Sequence, residues 1–338
     1  MPKGCVHASR ATRRIICAAI LLVWCAGRAP AAAREPVHLI DNFYATKFVD
    51  ANLGWTVGAF GTIFQTRDGG ATWRPQASHS VESLFSVDFA DATHGWIVGR
   101  VGTVLHTNDG GDTWEKQTPD TKQHLFGVCA LDAQHAWAIG DWGTIISSAD
   151  AGASWQIHAL DRDIILNAEA WPDSTHGWIV GEGGAILATA DGGATWTDQT
   201  SGVEKTLFGT SFSDGQHGWA VGLDGLILRT TDGGQTWQVQ HGDTQISTLD
   251  QVGFKEAFDN PTLYAIAVTP TYGYAVGDNG AVFDSSDGGQ TWQRKAVPAA
   301  ANLRWIRAVS LVSGTHGMLV GANGLILRVA NADLTLGE

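Results

Sequence analysis

The sequence predicts an all-β fold, a seven-bladed β-propeller of four-stranded antiparallel blades, on three observations. A six-residue word, DGG-x-TW or a near copy of it, begins at Asp68, Asp109, Asp150, Asp191, Asp232 and Asp287; the first five copies are 41 residues apart and the sixth follows after 55. A second word, a small residue followed by an aromatic or apolar one just before V-G or its equivalent, occurs seven times: at Gly54-Trp55, Gly95-Trp96, Ala136-Trp137, Gly177-Trp178, Gly218-Trp219, Gly273-Tyr274 and Gly317-Met318. Between these words lie short runs rich in β-branched and aromatic residues, such as LFGTSF, GWAVG, LILRTT and TWQVQ in the copy at 207–237, and no window carries a helical period.

Each element follows from the repeat. The first blade spans roughly 41–80, the second runs to 121, the third to 162, the fourth to 203 and the fifth to 242; the sixth covers 262–297 and the seventh begins near 302. Every first strand carries a small residue near its middle, Ala45, Ser86, Gly127, Ala168, Gly209, Ala265 and Ala308, as the crowded strand nearest a propeller axis requires. The DGG turn joins third strand to fourth: its glycines reach positive φ without steric cost, and the Asp carboxylate accepts from the turn's own N–H groups. Asp68, Asp109, Asp150, Asp191, Asp232 and Asp287 are therefore structural, not calcium ligands, since a calcium site needs several spaced carboxylates. The paired tryptophans, Trp73, Trp114, Trp155, Trp196, Trp237 and Trp292, are expected to pack between neighbouring blades. The seventh copy stops after its third strand with no DGG word behind it, so the run at 36–40 is expected to complete that blade from the N-terminal side and close the ring. An insertion at 241–260 lengthens the linker between blades five and six.

Residues 1–33 lie outside the repeat. They carry Lys3, Arg10, Arg13, Arg14 and Arg28, no acid, and an apolar run at 15–25 ending before Ala31-Ala32-Ala33, which predicts a cleaved export signal ahead of a single domain at 34–338. The run is too short to span a bilayer comfortably, so no span is expected after cleavage. The expected location is the periplasm, or the thylakoid lumen in a photosynthetic host. Loss of the signal takes the formal net charge from −13 to about −18, which argues against nucleic acid as a partner. Of the four cysteines only Cys129 remains, on an inner strand, where it reads as a buried structural thiol in a chain expected to be monomeric.

Candidate functional residues come from the positions that vary between blades. Turns between second and third strands, and linkers from outer to inner strands, share one face of a propeller. They supply Arg100, Asp141, Trp142, Glu182, Asp224, Asp278, Asn279, Arg304 and Asn323 as a candidate partner-binding face, with Lys122, His124, Asp161, Arg162, Glu204 and Trp305 nearby. No metal or cofactor is expected: His94, His135, His176, His217 and His316 occupy one repeat position, spread around the ring, and are read as turn histidines bonded to backbone. No catalytic residue is assigned. Glu169 and Arg307, on inner strands, are the nearest thing to a catalytic pair, but a glycosidase needs two carboxylates at a defined separation.

The DGG-x-TW turns resemble the Asp-box of bacterial neuraminidase repeats, which implies a carbohydrate-binding or sialidase-like hydrolase propeller as the alternative reading. That likeness ends at the scaffold, because no Arg-Ile-Pro stretch opens the first blade, and Tyr44, Tyr264, Tyr272 and Tyr274 occupy strand or turn positions the repeat explains. The fuller pattern VG-x-x-G-x-[IVL]-x-x-T-x-DGG-x-TW, as in 221–237, covers nearly all of 34–338 and is similar to the photosystem II stability and assembly factor family. That resemblance implies a non-catalytic scaffold, without cofactors, that binds a protein subunit of a membrane or envelope complex. Its phototroph members use a basic patch on one face; here the arginines, including Arg67, Arg74, Arg162, Arg229, Arg294 and Arg328, are dispersed along the sequence.

Overall fold

The computed structural model describes residues 40–158, 160–244 and 260–337; residues 1–33, expected to be an export signal, and most of the 241–260 insertion lie outside these. Among the described residues there are seven sheets, each of four consecutive antiparallel strands, so the blades are β1–β4 (43–76), β5–β8 (84–117), β9–β12 (125–157), β13–β16 (166–199), β17–β20 (207–241), β21–β24 (263–294) and β25–β28 (306–336). The first blade shows the plan: β1 (Phe43–Phe48), β2 (Gly54–Gly58), β3 (Ile63–Thr66) and β4 (Arg74–Gln76). The inner strands β1, β5 (Leu84–Phe89), β9 (Leu125–Ala130), β13 (Leu166–Ala170), β17 (Leu207–Phe212), β21 (Leu263–Val268) and β25 (Ile306–Ser313) each touch the next, and β25 touches β1, so the ring is closed.

The core follows from this arrangement. A strand of a blade buries both faces only against the blades on either side, and the buried apolar residues accordingly form seven clusters, one per blade junction. Trp55, Val57 and Ile63 meet Leu84, Phe89 and Trp114 across the first junction. Phe43, Phe64 and Trp73 meet Met318, Val320 and Ile326 across the last. Each Asp-box tryptophan sits in such a junction, as expected from the sequence.

A polar latch reinforces four of these contacts. Gln76 at the end of an outer strand accepts from Trp114 Nε1 of the next blade at 3.0 Å, and Gln117, Gln199 and Gln240 do the same for Trp155, Trp237 and Trp292 at 3.2, 3.3 and 3.0 Å. His158 stands at the equivalent position of the third blade and bonds Ser147 instead, leaving Trp196 Nε1 buried without a partner among the described residues.

The Asp-box is a closed hydrogen-bond unit. Asp191 Oδ1 accepts from Thr189 Oγ1 and the Thr195 N–H, its Oδ2 accepts from Thr195 Oγ1 at 2.6 Å, and Thr189 Oγ1 accepts from the Gly193 N–H. Those bonds hold the Asp191 carboxyl down at about 2. The glycine ending each second strand has another reason: a Cβ on Gly58 or Gly99 would lie 2.0 or 2.2 Å from the carbonyl oxygen of Asn42 or Ser83, so the linker can cross there only over a bare backbone.

Two expectations are corrected. The fourth strand of blade seven is β28 (Asp333–Leu336), supplied by the C-terminal end, not by the run at 36–40, of which 36–39 lie outside the described residues. A two-residue hairpin makes it: Ala330 pairs with Asp333, and Asn331 and Ala332 between them both have positive φ, a type I′ turn. Blades seven and one are joined instead by the Gly324 N–H donating to Asp41 O at 2.7 Å, and by the Asn323 and Phe48 N–H groups donating to Asn42 Oδ1 and Ser310 Oγ. The histidines also differ from expectation. His94, His135, His176 and His217 pair through Nδ1 with the carboxylates of Asp91, Asp132, Asp173 and Asp214, three residues earlier in the same turn. His316, lacking that Asp, bonds Thr315 Oγ1 at 3.0 Å.

Candidate functional site

One face of the ring carries the seven turns between second and third strands, six of them single 3-10 turns and that of blade three a turn closed by the Thr144 N–H on Asp141 O, and in all seven the middle residue has φ between 53° and 62°. In blades four to seven this residue is Gly183, Asp224, Asn279 or Asn323, types that visit the left-handed region readily. In blades one to three it is Phe60, Val101 or Trp142, held at φ 55° and 79%, 48% and 57% exposed. Left-handed backbone costs such residues roughly 1–2 kcal/mol each, and the exposed part of each side chain returns no burial energy. Three adjacent turns thus combine backbone strain with exposed apolar surface.

The same face opens into the axis. Each inner strand slips its register by one residue near its start: Phe43 pairs with Gly58 and Ala45 with Val57, so Tyr44 is the unpaired residue of a β-bulge. The same slip leaves Phe85, Phe126, Asn167, Phe208, Tyr264 and Arg307 unpaired in the other six blades. A bulge re-aims the side chain it releases. Here all seven line one pit of about 470 Å³ at the channel mouth, together with Trp305 and small inner-strand residues such as Ala45, Ser86 and Ala168.

The aromatic members form edge contacts around the pit. Tyr44 meets Phe85 at 5.8 Å, Phe85 meets Phe126 at 5.5 Å and Phe208 meets Tyr264 at 5.6 Å between ring centroids; Trp305 stacks on Tyr44 at 5.9 Å. The Arg307 guanidinium lies 4.3 Å over the Tyr264 ring, and burial pulls its pKa down. Tyr264 donates to Asp278 Oδ2 at 3.0 Å, and burial together with that carboxylate raises the phenol to about 12.

Below the pit the channel changes character. Lys47 and Asp88 form an ion pair at 2.6 Å, and Asp88 Oδ2 also accepts the Ala130 N–H. Cys129 lines this section and its thiol is pushed well above the usual range, first by burial and then by the Asp88 charge. Glu169 accepts from Trp171 Nε1 at 2.9 Å, its Oε1 is buried without a partner among the described residues, and burial raises its carboxyl to about 8.

The sequence-derived candidates sit as follows. Arg100, Asp141, Trp142, Glu182, Asp224, Asp278, Asn279 and Asn323 all fall on the mouth-side turns, and Arg304 Nη1 approaches Asn323 O at 3.5 Å. Two are engaged internally, Asp224 with Lys205 Nζ at 2.6 Å and Asp278 with Tyr264. Asp141 Oδ1 is buried without a partner among the described residues. Glu169 and Arg307 belong to different levels of the channel, and among the described residues no contact joins them. Several arginines are spent on separate partners, Arg67 on Gln65, Arg74 on Asp112, Arg162 on Asp198 and Arg229 on the Trp219 ring.

Sequence reasoning missed the bulge ring and the apolar turn residues Phe60 and Val101. A signal for the second existed in the sequence: the position that holds Gly, Asp or Asn in four blades holds a bulky apolar residue in three.

Comparison with known proteins adds three findings. The model of the family described as photosynthesis system II assembly factor YCF48 matches residues 33–156, 154–239, 199–258 and 254–335. A solved structure of YCF48 bound to D1 peptide is similar at 25% identity with a TM-score of 0.69, over 88% of this chain and 95% of that one, and YCF48 from Cyanidioschyzon merolae at 21% and 0.67, over 88% and 98%. A GH74 xyloglucanase from Xanthomonas campestris shares the fold at 14% identity and a TM-score of 0.66, over 88% of this chain and 53% of that enzyme. No protein with a curated description matches.

Proposed function

This chain belongs to the photosynthesis system II assembly factor YCF48 family, and on that premise we propose that it is a non-catalytic scaffold, exported and cleaved after Ala33, that docks a protein subunit of a membrane or envelope complex on its mouth face. One observation carries the choice of face. Phe60, Val101 and Trp142 are exposed and apolar in a strained backbone that the other four blades fill with Gly, Asp or Asn. A protein keeps strain of that kind where it serves recognition. The solved YCF48 in complex with a D1 peptide, 25% identical, supports a protein as the partner class. The hydrolase reading has less behind it: Glu169 feels Asp88 nearby, but Asp88 is tied to Lys47, and the glycoside hydrolase likeness at 14% identity extends to fold alone.

The test is co-purification. Mature protein beginning at Arg34 is used to capture partners from detergent-solubilised membranes of its host, alongside a Trp142→Ala variant lacking residues 245–259. A specific partner captured by wild type and reduced at least tenfold by the variant supports the reading; identical capture removes this face. N-terminal sequencing of the protein recovered from the periplasmic fraction tests cleavage after Ala33, and turnover of fluorogenic glycosides, abolished by Glu169→Gln, would replace the scaffold with an enzyme.

A further inference from the structure

The junction between blades three and four departs from the repeat at four positions. His158 stands in place of the latch glutamine, and Trp196 Nε1 is buried without a partner among the described residues. Trp171 stacks on Trp137 from the inner-strand position that holds Phe89 and Phe212 in blades two and five. Glu169 occupies the position of Val87, Val128 and Ile266, and its carboxylate accepts from Trp171 Nε1. Ser147, the cross-strand neighbour of Trp137, stands where His106 neighbours Trp96 and Arg229 neighbours Trp219.

These changes open the junction. The His106 ring lies 4.6 Å from that of Trp96, and the Arg229 guanidinium 5.9 Å from that of Trp219, so each covers its indole. Ser147 is too short to do so, and Trp137 is 7% exposed where Trp55, Trp96, Trp178 and Trp219 are 0–3%. On the face opposite the mouth a cleft of about 790 Å³ lies against Trp137 and Trp171, and Cys129 at the channel and Ser147 and His158 on the outer strands also line it. That volume falls within the roughly 300–1,000 Å³ typical of ligand sites. Four departures around one cleft mark a place where the sequence serves something besides blade packing.

The lining specifies a neutral ligand. Its charged groups are matched inside the protein: Lys47 holds Asp88 at 2.6 Å, and Asp132 and Asp173 are each bonded by a histidine of their own turn. Burial pulls the His158 pKa down and favours the neutral ring; its Nε2 bonds Ser147 Oγ at 2.8 Å, which leaves Nδ1 for a ligand. What remains is indole surface flanked by the hydroxyl, imidazole and amide groups of Ser147, Ser174, His158 and Gln156. A sugar ring matches that set, because its C–H face packs on an indole while its hydroxyls donate and accept at the edges. An extended peptide finds less, since the outer strand β12 (Gln156–Ile157) is only two residues long and offers little edge to pair along.

We propose that the cleft between blades three and four binds a neutral saccharide, with a sugar ring against Trp171 and Trp137 and its hydroxyls bonded to His158 and Ser147. The site lies on the face opposite the protein-docking surface and stands independently of it. On this reading the third blade forgoes its latch because a glutamine reaching across to Trp196 would close the cleft.

The experiment offers the mature protein to an array of short neutral and short acidic oligosaccharides, and the best neutral binder is then titrated calorimetrically. Retention of neutral glycans in preference to acidic ones is expected. His158→Gln, which restores the latch, should weaken binding roughly tenfold or more while leaving the urea midpoint at or above that of wild type, so that misfolding does not explain the loss. Ser147→Arg, which lays a side chain over Trp137 as Arg229 lies over Trp219, should weaken it to a similar degree. No neutral glycan retained, a preference for the acidic set, or neutral binding that both variants leave intact overturns the proposal. Random peptide pools form the second arm; peptide capture abolished by His158→Gln, with no glycan bound, also overturns it and assigns the cleft to a polypeptide.

Discussion

Replacing Phe60 by Asn should make the protein more stable while weakening its interactions, and the same change at Val101 and Trp142 should weaken interactions without a gain in stability. The backbone at these positions has φ 55°, and the equivalent residues Asn279 and Asn323 occupy it at 56° and 53°. Left-handed backbone costs an ordinary residue roughly 1–2 kcal/mol, and Asn recovers part of that because its short amide bonds locally. Against this stands the lost burial of each side chain, which follows the covered area and not the covered fraction: small for Phe60 at 79% exposed, larger for Val101 at 48%, and largest for Trp142, whose bigger side chain at 57% exposed still covers more apolar surface. With about 25 cal/mol per Å² of apolar surface, Val101 forfeits about as much as it gains and Trp142 somewhat more. The expected result is therefore a gain of about 0.5–1 kcal/mol for Phe60→Asn, close to none for Val101→Asn and a small loss for Trp142→Asn. Phe60→Asn should melt slightly higher than wild type. Urea denaturation of the three single variants, followed by tryptophan fluorescence, measures it. If Phe60→Asn lowers the urea midpoint, that side chain supports the fold, and the argument that strain is kept there for recognition is wrong.

Three further outcomes follow from the same structure. Glu169 titrates near 8 in the folded chain and near 4.5 as an ordinary glutamate, so its protonated form is favoured by folding; the stability it contributes is fully present below about 4.5 and declines as the pH rises towards 8. Glu169→Gln keeps an acceptor for Trp171 and should flatten that decline in urea midpoints measured from pH 5 to 9, whereas an unchanged slope would show the carboxyl to be already solvated. His158→Gln should supply the latch that the third blade lacks and satisfy Trp196 Nε1, raising stability by about 1 kcal/mol, and the converse Gln117→Leu should cost about 2 kcal/mol by stranding Trp155 Nε1 and Ala151 O. Removing residues 331–338 deletes β28, exposes the edge of β27 (Ile326–Ala330) and uncovers the Tyr274 hydroxyl, so roughly 3 kcal/mol and a marked rise in aggregation by light scattering are expected; a wild-type melt would mean that some other segment completes the blade.

What could be read in the sequence was whatever repeats. The DGG word marks the turn before every outer strand but the last, and the V-G word marks the close crossing that only glycine permits at Gly58 and its six equivalents, so blade number and strand count follow directly. The seventh outer strand escaped because its turn, Asn331-Ala332, reaches type I′ geometry without a glycine and the strand itself lacks a tryptophan. The Asp-His turn pairs escaped for a different reason: the aspartate three residues ahead was on the page, but its partner could as well have been backbone. The pit was hidden by the bulges. Simple alternation puts Ala45 or Ser86 towards the axis and turns Tyr44 or Phe85 away; an extra residue in each inner strand lets both members of the pair face the channel, and nothing in a single sequence announces a register slip.

The division between repeating and non-repeating positions has a physical basis that bears on function. Junction tryptophans and Asp-box carboxylates recur because every blade must solve the same packing and turn problem, and a departure there leaves a visible defect, as at Trp196. The bulge residues and turn residues solve no such problem, since their side chains project into the channel mouth or solvent. They are free to differ, yet their differences are ordered: aromatic or apolar side chains occupy both positions in three consecutive blades, and the lone cation of the bulge ring stands in the blade next to them. Independent drift at seven solvated positions would favour Gly, Asp and Asn at a left-handed turn, as blades four to seven illustrate. Retention of Phe60 against that backbone preference therefore requires a compensating gain outside the isolated chain, and burial beneath a partner is the gain that its exposed ring, and the uncovered parts of Val101 and Trp142 beside it, can collect.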